Sequence, residues 1–315
     1  MKRGSMAHNR KVFIVGGGGM VGATAAYALA IKEVAQEIIL VDIAKELVEG
    51  QAMDIDDAMA FTDGITVRVG TYDEISDDDI VVITGGAAQK PGQTRLELLD
   101  INANIIKGIA HEVVKNGAKP FIVVVTNPVD VLTYVAFKES GLPKERVFGT
   151  GTSLDTARVR VALANRLNVS ESEVSAYVLG EHGDSSFVAL SGATIGGIAI
   201  SELDGYVPEI SQHITQDIRD RVYKIIDAKK STYYGIGQVV SEIVDAMMHH
   251  APSIFPTCSL TDGEYGLHNV VIGLPSQINT DGVKILDGYH LNAKEKQSLS
   301  KSAAVINEAI QSMHK

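Results

Sequence analysis

The residue best placed for acid–base chemistry is His182, in the polar segment Gly180-Glu181-His182-Gly183-Asp184 after the apolar residues 176–179. A histidine that moves a proton needs a partner that fixes its tautomer and stabilises its cation, and an aspartate does both. Asp155 is a candidate for this partner. It precedes Arg158 by three positions, so both lie on one face of a predicted helix. Taken alone, that spacing is explained more simply by a surface ion pair.

A second candidate is the segment Gln89-Lys90-Pro91-Gly92-Gln93-Thr94-Arg95, which follows the apolar residues 80–83 and precedes a predicted helix. A polar Pro-Gly segment after a strand predicts a mobile loop at the C-terminal edge of a sheet. Such a loop can carry a guanidinium into a site and exclude water as it closes. Its ends, Gln89 and Arg95, are therefore candidate site residues, although Gln89 could also be an exposed amide without a role.

A glycine-rich turn, Gly17-Gly18-Gly19-Met20-Val21-Gly22, directly follows the first predicted strand and precedes a helix. Such glycines let the backbone approach a pyrophosphate at a helix N-terminus, and Asp42, at the end of the second strand, can accept from both ribose hydroxyls. A carboxylate there repels a 2′-phosphate, which favours NAD over NADP. A tight turn without a ligand is the alternative.

Asn127 lies in the segment Thr126-Asn127-Pro128-Val129-Asp130, after the fifth predicted strand. Ligands of doubly wound sheets bind beyond the C-terminal strand ends, so Asn127 could face the site. A helix that starts here, with Asn as its cap and Pro in its first turn, explains the same residues equally well.

Strands alternate with helices through the first half of the chain, which predicts an α/β fold with a doubly wound parallel sheet, a Rossmann fold. The predicted strands cover residues 12–15, 37–41, 66–69, 80–83 and 121–125, and the predicted helices cover 22–34, 45–61 and 95–116.

The second half predicts a mixed α+β domain that binds the substrate. It contains helices at 153–167, 207–228, 232–248 and after 292, and strands near 174–179, 254–260, 269–274 and 282–285. We therefore expect an NAD-binding domain at residues 7–150 and a catalytic domain at 151–315. Residues 1–5 resemble an expression scar.

Composition excludes several classes of protein. The chain has 315 residues, 45% of them hydrophobic, and a formal charge of -11, which argues against nucleic acid and acidic membranes as partners. A single cysteine, Cys258, forms neither a disulfide framework nor a metal cluster, so no metal is expected. No apolar run is long enough to span a bilayer, and the N-terminus does not resemble a signal peptide. These features predict a cytoplasmic protein.

In order and spacing, these motifs and the segment Ser231-Thr232-Tyr233-Tyr234-Gly235 resemble the L-lactate and malate dehydrogenase family, from about Lys11 to Ile310. The resemblance implies that an NADH hydride and a proton add reversibly to a short 2-oxo acid. It also implies site residues. The catalytic residues would be His182, Asp155 and Arg95; the substrate would contact Gln89, Arg95, Asn127, Arg158 and Thr232; the cofactor would contact Gly17, Gly19, Met20, Val21, Gly22, Asp42, Asn127 and Ile236.

The residue at position 89 indicates which acid is used. Malate dehydrogenases have an arginine there that pairs the second carboxylate, whereas this chain has Gln89, as lactate dehydrogenases do. A buried carboxylate without a cation costs several kcal/mol, which favours pyruvate and L-lactate over oxaloacetate. Residues 186–191 are closer to 2-hydroxyisocaproate dehydrogenases, so a broader L-2-hydroxy acid dehydrogenase is the alternative. A non-catalytic NAD-binding protein is a remote one.

The resemblance also bears on regulation and assembly. Members activated by fructose 1,6-bisphosphate have an Arg and a His at a subunit interface. Arg160 matches the first, but Ser175 replaces the second. We therefore predict little activation by the bisphosphate. Members are usually homotetramers, which is the only ground for expecting a homotetramer here.

Overall fold

In the computed structural model, the described part of the chain forms one large sheet of nine strands. The structure describes residues 10–88, 92, 94–203, 206–207 and 210–313, apart from the side chains of Arg95, Ser211, Gln212 and Arg219. The expression scar predicted at residues 1–5 lies outside this part. Among the described residues, no helix is long and apolar enough to cross a membrane.

The first six strands are parallel and form the predicted Rossmann sheet, which confirms the α/β fold class. They are β1 (Val12–Val15), β2 (Glu37–Val41), β3 (Thr66–Val69), β4 (Ile80–Ile83), β5 (Phe121–Val124) and β6 (Val147–Gly149). Their order, β6-β5-β4-β1-β2-β3, changes direction between β1 and β4. Ligands of such sheets bind at this point, beyond the carboxyl ends of the strands.

Helices cover both faces of these strands. They are α1 (Met20–Ile31), α2 (Lys45–Ala58), α3 (Arg95–Val114) and α4 (Val129–Ser140). The predicted start of α1 at Gly22 is wrong by two residues, because the helix begins inside the glycine-rich motif. Residues 59–61, predicted as the end of α2, form a separate 3₁₀ turn.

The second half contributes helices and two groups of strands. The helices are α5 (Ser153–Leu167), α6 (Ile210–Lys229), α7 (Tyr234–Met247) and α8 (Ala293–Ser312). The strands β7 (Val174–Leu179), β8 (Phe187–Ile195) and β9 (Ile198–Ala199) form a small antiparallel sheet. The strands β10 (Ser253–Asp262), β11 (His268–Asn279) and β12 (Gly282–Ile285) instead extend the large sheet, because Cys258 of β10 pairs with Gly149 of β6.

Two contacts between the halves bring the site together. One apolar core includes Phe13 and Val124 of the parallel strands together with Ile272 of β11 and Ile306 of α8. On the other face, α7 packs against α1 so closely that a Cβ on Gly237 would lie 2.7 Å from the Thr24 side chain. The start of α7 is thereby held beside the helix that follows the glycine-rich turn.

Candidate active site

His182, Asp155 and Arg158 come together as the sequence predicted. His182 Nδ1 lies 2.7 Å from Asp155 Oδ2, and Arg158 Nη1 donates to Asp155 Oδ1 at 3.1 Å. The carboxylate therefore contacts both cationic groups, one with each oxygen. The three side chains are only 18–28% exposed, so the surface ion pair considered for Asp155 and Arg158 does not describe them.

The segment that carries His182 is fixed to neighbouring elements on both sides. Gly180 exchanges two main-chain hydrogen bonds with Gly273 of β11, at 2.9 and 3.0 Å. Its φ is +98°, and a Cβ there would lie 2.6 Å from Ser302 Oγ, so a glycine is needed. The Glu181 main-chain N–H donates to the same hydroxyl. These bonds place His182 opposite α5 and its Asp155.

The local charges favour the protonated form of His182. Burial disfavours the imidazolium, but the attraction of Asp155 and its hydrogen bond leave the pKa of His182 raised. Burial also opposes the charge on Asp155, whereas His182 and Arg158 together hold the pKa of Asp155 below its usual value. The pair is therefore suited to hold a proton near neutral pH and to release it to an acceptor.

This group opens onto a cavity of about 800 Å³. Seven residues that the sequence analysis proposed line it: Val21, Asn127, Asp155, Arg158, His182, Thr232 and Ile236. The other proposed cofactor residues do not line the cavity. Gly17, Gly19, Met20 and Gly22 belong to the turn and first helical residues around Val21, and Asp42 follows β2 and contacts this turn. The structure therefore brings His182, Asp155 and Arg158 to one cavity with Val21 of the glycine-rich turn.

The glycine-rich turn is packed so closely that side chains are excluded. A Cβ on Gly22 would lie 2.3 Å from the Gly16 carbonyl oxygen, and one on Gly17 would lie 2.8 Å from Leu40 Cβ. Gly19, the N-cap of α1, provides no side chain to bond the first N–H groups of the helix. Uncapped N–H groups at a helix N-terminus are suited to a pyrophosphate, so the turn fits a dinucleotide.

Asp42 lies at the end of β2 and is oriented by the main chain. Its Oδ2 accepts the Gly18 N–H at 2.9 Å and its Oδ1 accepts the Ala44 N–H at 2.9 Å. Each oxygen keeps a lone pair, because a carboxylate oxygen can accept two hydrogen bonds. Asp42 can therefore bind ribose hydroxyls while it stays attached to the glycine-rich turn.

The structure separates the two interpretations of Asn127. Pro128, not Asn127, is the N-cap of α4, and no side chain caps that helix among the residues described. Asn127 instead lines the cavity. The side chain is therefore available to a ligand, which favours the site over the helix cap.

Asn102 of α3 is a site residue that the sequence analysis missed. Asn102 is 2% exposed. Its side-chain amide accepts the Ala87 N–H at 2.7 Å and donates to the Asn127 main-chain carbonyl at 3.4 Å. It thus joins the segment after β4 to the segment after β5. A sequence signal existed. Asn102 lies midway between Leu98 and Ile106 at helical spacing, so an asparagine occupies the apolar face of this helix.

The two ends of the loop at 89–95 can be placed only in part. Gln89 lies outside the described residues. Arg95 is the first residue of α3, after the N-cap Thr94, whose hydroxyl and the Glu97 carboxylate form a capping box. The main chain thus places Arg95 at the helix end that follows this loop, and its side chain is not described.

One further part of the cavity wall is apolar. It comes from one face of α6 and from the start of β8, and it contains Ile218, Val222, Ile226, Phe187 and Val188. Ala189 lies within the core instead, so the part of residues 187–190 that reaches the cavity is limited to the first two.

Comparison with known proteins gives the family. The model of the lactate/malate dehydrogenase NAD-binding domain matches residues 10–149, and that of the lactate/malate dehydrogenase alpha/beta C-terminal domain matches residues 152–315. Since these models cover almost the whole chain, it belongs to the lactate/malate dehydrogenase family, a family of NAD-dependent oxidoreductases. This confirms the predicted family, and with it NAD as the cofactor.

Within the family, the chain is similar to L-lactate dehydrogenases. It is 42% identical to an L-lactate dehydrogenase of Latilactobacillus sakei over 306 residues, 96% of this chain and 94% of that protein. The crystal structure of a minor L-lactate dehydrogenase from Enterococcus mundtii with bound ligands matches with a TM-score of 0.91, 40% identity and coverage of 96% and 98%. A lactate dehydrogenase from a Medee basin deep-sea metagenome matches with a TM-score of 0.93, 41% identity and coverage of 98% and 100%.

Proposed function

We propose that this protein is an L-lactate dehydrogenase, which reversibly reduces pyruvate to L-lactate with NADH. The observation that carries the proposal is the His182–Asp155 pair, 2.7 Å apart at the wall of a cavity that also contains Arg158 and part of the cofactor turn. The high identity to L-lactate dehydrogenases supports the same activity.

Each residue of the pair then has a defined task. When bound, the nicotinamide supplies the hydride to C2 of the 2-oxo acid. Asp155 bonds His182 Nδ1, which leaves Nε2 as the nitrogen that gives its proton to the C2 oxygen. Asp155 stabilises the imidazolium before that transfer and orients the ring. In the reverse direction, neutral His182 accepts the proton from L-lactate.

Arg158 is suited to bind the substrate carboxylate. Only Nη1 is used by Asp155, so the planar guanidinium keeps donors for two parallel bonds. Its partial burial strengthens this pairing because less water competes for it. The roles proposed for Arg95, which would polarise the carbonyl, and for Asn127, near the nicotinamide and the reacting oxygen, complete the site.

The neutral Gln89 supports pyruvate over oxaloacetate, with Thr232 beside the substrate methyl group. The test is kcat/KM of the purified protein for pyruvate, oxaloacetate and 2-oxoisocaproate, followed by NADH absorbance. Pyruvate is expected to be the best of the three. A preference for oxaloacetate would contradict the assignment of Gln89, and no NADH consumption with any 2-oxo acid would contradict catalysis.

A broader L-2-hydroxy acid dehydrogenase is the second candidate. The apolar wall of α6 and β8 favours it, because Ile218, Val222 and Phe187 could pack against a longer aliphatic side chain. A kcat/KM for 2-oxoisocaproate above that for pyruvate would select this candidate.

Little or no activation by fructose 1,6-bisphosphate is also part of the proposal. Arg160 donates from Nε to the Ala176 carbonyl at 3.2 Å, and its guanidinium stacks on Tyr177 at 5.2 Å, so it already has partners within the subunit. Ser175 offers no positive charge beside it. Rate curves against pyruvate, with and without the bisphosphate, are expected to coincide, and a large decrease in KM would refute this part.

The division at residue 150 is proposed as a division of function between cofactor and substrate. The matched family models support it, since they meet between residues 149 and 152. The homotetramer and the cytoplasmic location stay predictions from the family. Light scattering of the purified protein tests the first.

A further inference from the structure

The outer edge of β7 is bonded by side chains of α5. In the described part of the chain, β7 lies at the end of the small sheet, with β8 as its neighbour. The residues of β7 that turn away from β8 therefore need other partners for their N–H and C=O groups. Ala176 and Val178 find such partners on α5, and Gly180 finds them on β11.

Val178 is held at both of its polar groups by two threonines. Its N–H donates to Thr156 Oγ1 at 2.8 Å, and its C=O accepts from Thr152 Oγ1 at 2.6 Å. The two threonines and Val178 are at most 4% exposed, so little water competes for these bonds. Since the N–H and C=O of one strand residue point to the same side, Val178 turns both groups to α5.

The hydroxyl of Thr152 makes a contact outside its own helix. Thr152 is the N-cap of α5, a position where a threonine oxygen commonly accepts a helix N–H. Its hydroxyl instead bonds β7 and also reaches the Pro256 carbonyl at 3.3 Å. Within the described residues, the helix start is therefore fixed to its neighbours and is not capped by this side chain.

These bonds lie close to the proposed catalytic pair along both segments. Asp155 precedes Thr156 on α5, and His182 follows Val178 by four residues. Apolar contacts also hold α5 on β7, but such contacts have no direction, whereas hydrogen bonds fix the position of one element along the other. That position determines the 2.7 Å contact between Asp155 Oδ2 and His182 Nδ1.

We propose that Thr152 and Thr156 are positioning residues for the proton transfer: their hydroxyls fix α5 to β7 and thereby set the distance between Asp155 and His182. The proposal rests on the proposed dehydrogenase function. Among the described residues, those that line the cavity include neither threonine, so both act through the two elements that carry the pair. A displacement of about 1 Å at such a pair can lower a rate by about 10²-fold.

The experiment compares Thr156→Val with Thr261→Val in the full-length protein. Valine keeps the shape of threonine and removes the hydroxyl. Thr261 is the matched control, because it is 1% exposed and its hydroxyl bonds both the N–H and the C=O of Val270, at 3.3 and 3.0 Å, on β10 and β11. The titration of His182 is followed by NMR of its ¹³Cε1-labelled ring and is assigned through its loss in His182→Asn.

The titration of His182 reports the position of α5. The charged groups that act on its ring include Asp155 and Arg158 of α5 and Asp130 of α4. Asp155 has the larger effect of the two on α5, because it also bonds the ring, and it raises the pKa of His182. Separation of α5 from the ring must therefore lower that pKa.

Thr156→Val is expected to lower the His182 titration midpoint by about one pH unit, the lower end of the effect of a nearby opposite charge. We expect kcat for pyruvate to fall by up to about 10²-fold. Thr261→Val should leave the midpoint and kcat unchanged. An unchanged midpoint in Thr156→Val, or an equal shift in Thr261→Val, overturns the proposal.

Thr156→Ser separates the role of the hydroxyl from that of the methyl group. It keeps the acceptor for the Val178 N–H, so the midpoint and kcat should stay near their wild-type values. A serine variant that shifts the midpoint as far as the valine variant does overturns the proposal.

If Thr156→Val does not fold, Thr152→Val takes its place. It removes the donor to the Val178 carbonyl, and an unchanged His182 midpoint in this variant overturns the proposal in the same way. Since the NMR readings need no substrate, they remain decisive even if the protein reduces no 2-oxo acid, which would refute only the proposed function.

Discussion

The two sides of the proposed site are built from different chemical groups. The side proposed for the cofactor offers main-chain atoms of consecutive residues, in the turn between β1 and α1, and a single carboxylate, Asp42, that is itself held by backbone N–H groups. The side proposed for the substrate offers side chains from separate segments: Asp155 and Arg158 of α5, and His182 after β7. The cofactor side is therefore expected to be sensitive to added side-chain volume, whereas the substrate side is expected to be sensitive to changes in charge and in hydrogen-bond geometry.

Replacement of His182 should have the largest effect and should separate the two sides. With His182→Asn, kcat for pyruvate reduction is expected to fall by about 10²- to 10⁴-fold, the usual contribution of a general acid. NADH affinity, measured by fluorescence, should be retained. Comparable loss of NADH affinity would show that the two sides are not separable.

Arg158→Lys keeps the charge but loses the two parallel donors. Hydrogen bonds to charged groups contribute about 1.5–3 kcal/mol, so kcat/KM for pyruvate should fall by about 10- to 100-fold, mainly through KM. Steady-state kinetics checks this. If KM is unchanged, Arg158 does not bind the carboxylate.

On the cofactor side, Gly22→Ala should destabilise the protein, because its Cβ would lie 2.3 Å from a backbone oxygen. Overpacking of this kind costs about 1–3 kcal/mol, and NADH affinity should fall with it. Gly50→Ala is the matched control in α2, where a Cβ meets nothing within 4 Å. The control should increase the free energy of unfolding by about 0.5–1 kcal/mol. Urea denaturation measures the free energy of unfolding of both variants.

The smallest effect is a difference in pH dependence. The pKa of His182 is raised by Asp155, and pyruvate reduction needs the imidazolium, so kcat/KM for pyruvate should fall as pH rises through that raised pKa. For L-lactate, kcat/KM should rise through the same midpoint. NADH binding, which relies on main-chain donors, should change little. Parallel pH profiles for the two substrates would contradict the assignment of His182.

These differences also explain what could be predicted from the sequence. Strands β1, β2 and β4 begin and end where their apolar patterns indicated, because consecutive buried residues define them. Strand β3 and helix α5 also have their predicted bounds, although only some of their residues are buried. Strand β8 was missed, since Gly192 weakens its pattern. That glycine is required by a distant residue, because a Cβ there would lie 2.7 Å from the Tyr289 ring.

The candidate site divides in the same way. The glycine-rich turn is a contiguous motif, and His182 with Asp155 was found through residue type and resemblance. Asn102 was not assigned a role, because its partners lie after two different strands and become neighbours only when those strands align. A polar residue on an otherwise apolar helix face is the local signal of such a residue.

The continuous sheet has a consequence for how the protein unfolds. Since β10 pairs with β6 and one apolar core includes residues of β1, β5, β11 and α8, the two functional halves are expected to unfold as one cooperative unit. A fragment that ended near residue 150 would expose the edge of β6 and the apolar face of α4, which favours aggregation. The parts of the chain proposed to bind cofactor and substrate are thus expected to depend on each other for their solubility.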